Sequence, residues 1–140
     1  SDKSALVLLD GNGQKTTSKS TACKVQSGKW VDPYSGVTIT DPSKVDIDHM
    51  VPLSYAAQHG GQAWSKSKKQ DYANSLTNPR HLVASSATEN RTKGDKGPSR
   101  YQPKVNQCQY ATDWVSVSKS WNLSVAPADV KALESMLATC

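Results

Sequence analysis

The run Val45-Asp46-Ile47-Asp48-His49-Met50-Val51-Pro52-Leu53 sets acidic residues and a histidine directly ahead of an apolar segment. Neighbouring residues on an extended strand face opposite sides, so Asp48 and His49 can share a site only where a strand ends and curls into a loop. An imidazole titrates near neutrality and can take a proton from water. A carboxylate and an amide carbonyl are hard oxygen donors of the kind magnesium prefers. The amide comes from a second string, Ala87-Thr88-Glu89-Asn90-Arg91-Thr92-Lys93-Gly94-Asp95, where basic residues follow Asn90. Asp48, His49 and Asn90 are a minimum set for hydrolysing a phosphodiester: a base for the attacking water, and two ligands for a divalent cation that offsets phosphate charge. Each residue alone is ordinary. An Asp-His dipeptide is commonly a surface pair, and the set exists only if the segment carrying Asn90 packs against the strand end.

The elements that would do this are legible. Asp41-Pro42-Ser43 turns the chain into a strand over 45–48. Pro52 opens a helical segment through Leu53, Tyr55, Ala56 and Ala57 that Gly60-Gly61 ends. Ser65 caps another helix carrying Lys66, Lys69, Tyr72, Ala73 and Leu76. Asn78-Pro79 breaks the chain, and the apolar centre of 80–84 predicts a strand. Ser86 with Glu89 forms a capping box and Gly94 a stop, which predicts a short helix over 86–93. Strand, connection, strand, helix is therefore the local order. Upstream, Trp30-Val31 and 37–40 suggest two short strands about a turn at 32–36, and 10–20 reads as loop. Downstream, Tyr110, Trp114, Val117 and Trp121 recur at helical spacing, and Pro127 starts a last helix with Val130, Leu133 and Leu137. These aromatics read as core. The fold class expected is α+β.

With 140 residues the chain suits one domain, 1–140. Seventeen Lys+Arg against twelve Asp+Glu give a net charge of +5, and the excess clusters. Arg91, Lys93, Lys96, Arg100 and Lys104 are opposed only by Asp95, and Lys66, Lys68 and Lys69 form a second group. Such clustering is the footprint of a phosphate-binding face, although a solvated surface gives the same pattern. No run of eighteen apolar residues crosses a membrane, and the opening residues lack signal-peptide architecture, as expected of a mature form. The three cysteines, Cys23, Cys108 and Cys140, are too far apart for a structural zinc motif. A Cys108–Cys140 disulfide would secure the terminal helix and leave Cys23 either unpaired or joined to a partner outside this set. The abundance of Ser, Thr, Gln and Asn fits a secreted protein.

"VDIDHMVPLS" followed by "HLVASSATENRTKGD" resembles the HNH, or ββα-metal, nucleases in their Asp-His-Asn version, especially secreted microbial non-specific endonucleases. The HNH domain of the RNA-guided CRISPR nuclease has a similar pattern. The resemblance spans residues 30–103 and implies a small ββα-metal core, with its motif at about 45–95, surrounded by further helices that include 107–140. It implies that His49 is the general base and that Asp48 and Asn90 hold one divalent metal, magnesium or alternatively manganese. The products would be 5′-phosphate and 3′-hydroxyl ends. The family's middle position, which orients the base, falls on His81 or its backbone carbonyl, with Asn78 as rival. Gln14 stands where relatives often carry Cys, which deprives Cys23 of a partner.

The implied protein is a secreted, monomeric endonuclease acting on DNA, and by extension RNA, with little sequence specificity and no membrane partner. Arg80, Arg91, Lys93, Lys96 and Arg100 would line the phosphate track, with Tyr101 beside it. A non-catalytic nucleic-acid-binding domain retaining the fold, and a dedicated toxin or defence nuclease, are the alternatives. Asn90-Arg91-Thr92 is also a glycosylation sequon, so the activity requires Asn90 to escape modification.

Overall fold

Asp32 shapes the first turn: its carboxylate accepts from the Tyr34 amide and the Ser35 hydroxyl. That turn brings β1 (Trp30–Val31) antiparallel to β2 (Thr38–Ile39). The structure is a computed structural model that describes residues 28–140. The expected loop at 10–20, Gln14 and Cys23 lie outside the described residues. A single 3-10 turn, Pro42–Lys44, capped by Asp41, delivers the chain into β3 (Val45–His49).

β3 pairs antiparallel with β4 (Leu82–Ser86), with Val45 opposite Ser86 and His49 opposite Leu82. The second strand therefore begins two residues later than the apolar pattern of 80–84 predicts. Asn78 is the reason: its Oδ1 accepts from the Arg80 amide and its carbonyl from the His81 amide, which keeps 78–81 in a turn. Between the strands lie α1 (Leu53–Gln58) and α2 (Lys66–Asn74). Ser65 caps α2, its hydroxyl accepting from the Lys68 amide at 3.1 Å.

α3 (Ala87–Lys93) follows β4 without a loop. Ser86 is both the last strand residue and the N-cap, accepting from the Glu89 amide, and Gly94 ends the helix at φ 51°. This direct junction fixes where the face of α3 lies relative to β3. α4 (Gln107–Ser120) and α5 (Pro127–Leu137) complete the chain and are tied by the Cys108–Cys140 disulfide. The fold is thus mixed α+β, with two small antiparallel sheets and five α-helices among the described residues.

Two apolar clusters hold β3. Val45 and Ile47 pack with Trp30, backed by Ile39, Leu82 and Ala84. A larger core of Tyr34, Met50, Val51, Tyr55, Tyr72, Tyr110, Trp114, Leu133 and Met136 joins the strand end to α4 and α5. Of the helical aromatics, Tyr110 and Trp114 are buried in this core, as their spacing predicts, and Trp121 packs partly buried against it. Among the described residues no helix is long and apolar enough to cross a membrane.

Candidate active site

Three consecutive residues of β3, Ile47, Asp48 and His49, line one open pocket of about 180 Å³ together with Pro52, Leu53, Asn90 and Asp95. Consecutive strand residues can share a pocket at the open edge and end of a strand, and among the described residues β3 pairs on one side, with β4. Asp48, His49 and Asn90 are therefore brought together, as the two strings predict. Asn90 reaches the pocket because α3 starts at the last residue of β4.

α3 meets β3 in two rungs. Asn90 and Lys93 are three residues apart and share one helix face, while Asp46 and Asp48 share one strand face. The Asn90 amide donates from Nδ2 to Asp46 Oδ2 at 3.0 Å. The Lys93 ammonium lies 3.1 Å from Asp48 Oδ2 and 3.3 Å from Oδ1, and donates to the His49 carbonyl at 2.8 Å. Tyr34 completes the surroundings of Asp48, donating its hydroxyl to Oδ2 at 2.5 Å. Burial, reinforced by the neighbouring Asp48 charge, pushes the Tyr34 pKa well above its ordinary value, so the phenol stays a donor.

Lys93 differs from its expected role. Its side chain is 0% exposed, so it is an internal counter-ion for Asp48 and not a surface contact for substrate. Burial draws its pKa down, against the upward pull of Asp48. Arg80 also lies elsewhere. Its guanidinium sits 3.7 Å from Asp113 of α4, and it lines a separate cavity of about 580 Å³ with Trp30, Tyr34 and Tyr110. Arg91 and Arg100 are exposed, and Lys96 is partly so, its ammonium capping the Thr92 carbonyl.

His49 is held from a direction that the strand pattern does not announce. Its Nε2 lies 2.8 Å from the carbonyl of Ala73, in the last turn of α2. Carbonyls of a last helical turn have no partner within the helix, so they are natural acceptors. A carbonyl only accepts, so Nε2 carries the proton and the neutral ring keeps its lone pair on Nδ1. Burial lowers the His49 pKa, partly countered by the Ala73 hydrogen bond and by Asp48.

The expectation that His81 or Asn78 orients His49 is corrected by this geometry. The His81 carbonyl accepts from the Met50 amide, its Nε2 hydrogen-bonds the Tyr72 carbonyl, and its ring meets His49 only edge to face at 6.0 Å. Asn78 is occupied by its own turn. Ala73 supplies the carbonyl instead. Residue type alone likewise gives no role to Tyr34 or Asp46. The signal for Asp46 was its place two residues before Asp48.

The donor set suits a hard divalent cation. An ionised carboxylate offers roughly four lone-pair sites. Tyr34 and Lys93 leave some of those on Asp48 free, and the Asn90 Oδ1 is not spent on Asp46. Two protein oxygens and an open pocket match magnesium's habit of keeping several waters.

Comparison with known proteins adds a family. The model of the GmrSD restriction endonucleases, C-terminal domain, matches residues 2–134. An "Uncharacterized secreted protein" of Arthroderma benhamiae is 44% identical over 121 residues, covering 85% of this chain and 59% of that protein. The chain thus spans about three fifths of the length of that relative. No solved structure matches. On the family match, this chain belongs to the GmrSD restriction endonuclease C-terminal domain family.

Proposed function

We propose that the protein is a secreted, metal-dependent endonuclease of the HNH, ββα-metal type that hydrolyses phosphodiester bonds of DNA with little sequence preference. The convergence of Asp48, His49 and Asn90 on one open pocket carries this reading. The family's description as restriction endonucleases and the secreted relative support it.

His49 acts as general base. Its proton-bearing Nε2 is anchored on Ala73, so the ring is held in one tautomer with Nδ1 ready to accept a proton from water. The lowered pKa keeps the ring neutral at physiological pH. Asp48 and Asn90 would hold one magnesium or manganese ion. When bound, that ion neutralises charge on the phosphate and the leaving oxygen, favouring 5′-phosphate and 3′-hydroxyl ends. Tyr34 and Lys93 fix the Asp48 carboxylate from behind. Arg91, Lys96 and Arg100, on and after α3, contact backbone phosphates, which carry no base information.

One observation favours the binding-only alternative: Lys93 already balances the charge of Asp48. Supercoiled plasmid separates the two. Wild type with magnesium should nick and then linearise it, and His49→Ala or chelator should abolish both steps. Salt-sensitive binding without cleavage in magnesium or manganese would establish the binding module instead.

A further inference from the structure

Asp46 is buried, acidic and close to the pocket, yet no step above uses it. An asparagine amide has nearly the same shape in either orientation about its last torsion, but only its oxygen can ligate a cation. Something must choose. Asp46 Oδ2 stands 3.0 Å from the Asn90 amide nitrogen, and an ionised carboxylate only accepts hydrogen bonds. The nitrogen must therefore face Asp46. Asn90 also lines the pocket beside Asp48 and His49, so its oxygen is the end left for that side.

The geometry points to Asp46 as the positioning residue that turns the Asn90 carbonyl into the pocket. This inference rests on the proposed metal site and adds the residue that sets its polarity. The two acids two residues apart on β3 then have separate tasks: Asp48 presents oxygen directly, and Asp46 makes Asn90 do so. Residues that orient metal ligands from behind typically change affinity by on the order of 10–100-fold when removed.

The test is a double-mutant cycle read by manganese binding, with free Mn²⁺ followed by electron paramagnetic resonance and folding checked by thermal unfolding. Asp46→Ala should weaken binding by on the order of 10-fold, whereas Asp46→Asn, which keeps an acceptor oxygen, should lose less. Asn90→Asp supplies the decisive background, because a carboxylate presents oxygen in either orientation. In it, adding Asp46→Ala should leave binding unchanged or tighten it, since two adjacent carboxylates no longer repel. Equal weakening by Asp46→Ala in both backgrounds would show that Asp46 acts only through its charge and would overturn the inference. So would wild-type affinity in Asp46→Ala. If wild type itself binds no manganese, the metal-site reading fails, and this inference fails with it.

Discussion

Lys93→Met tests the buried ion pair that links α3 to β3. Lys93 is 0% exposed and Asp48 5%, and the ammonium serves both carboxylate oxygens and the His49 carbonyl. Methionine fills similar volume but strands a carboxylate with Tyr34 as its remaining donor, and leaves a strand-end carbonyl without one. Removing one partner of a buried pair costs about 3–5 kcal/mol, because the uncompensated charge stays behind. For a domain of this size that lowers the melting temperature by roughly 10–15 °C. Urea and thermal unfolding in chelator would measure it, with exposed Lys66→Met as a control expected within about 0.5 kcal/mol of wild type. Saturating magnesium should then rescue the variant more than it stabilises wild type, since a divalent ion replaces the missing charge at Asp48. At a hundredfold excess over its dissociation constant a ligand contributes about 2.7 kcal/mol. A Lys93→Met protein as stable as wild type in chelator would refute the ion pair. Lys93 would then be a surface residue, as the bare sequence suggests.

His49 and His81 both have pKa values lowered below the ordinary 6.5, chiefly by burial. The unfolded chain therefore binds more protons, and stability present above pH 6.5 is lost as pH falls toward the folded values. Urea midpoints should drop between pH 7 and pH 5, and His81→Gln should flatten that drop; a pH-independent midpoint in wild type would contradict the burial of both rings. The disulfide encloses a loop of 32 residues' separation, so replacing Cys108 and Cys140 together by Ser should cost about 3–4 kcal/mol in denaturant titration. A Cβ at Gly97 would run into the Asp129 carboxylate. That carboxylate is fixed by the Tyr55 hydroxyl and the Ser99 amide. Gly97→Ala should thus destabilise by about 1–3 kcal/mol in the same assay.

The strings carrying Asp48, His49 and Asn90 were legible because each residue type limits its chemistry and because capping signals at Ser65, Ser86 and Gly94 act locally. What escaped depends on partners far along the chain. Any residue has a carbonyl, so nothing in residue type marks Ala73 as the acceptor for His49. Lysines are almost never fully buried unless paired, so Lys93 in a basic run reads as surface. The helical phase relating it to Asn90 held the contrary signal, but only if α3 lies flat on β3. The shift of β4 has the same origin: the Asn78 turn competes with the strand propensity of the residues that follow. Arg80, left at the mouth of that turn, pairs with Asp113 and not with the pocket of Asp48.

In the proposed mechanism Asp48 and Asn90 jointly hold a divalent ion beside His49. Crystals of His49→Ala bound to a short DNA duplex with manganese, measured at the manganese absorption edge, test it directly. An anomalous peak is expected within about 2.0–2.4 Å of an Asp48 oxygen and the Asn90 carbonyl oxygen, with a phosphate oxygen completing the shell. A peak confined to other carboxylates, with DNA bound and that pocket filled by water alone, would contradict it.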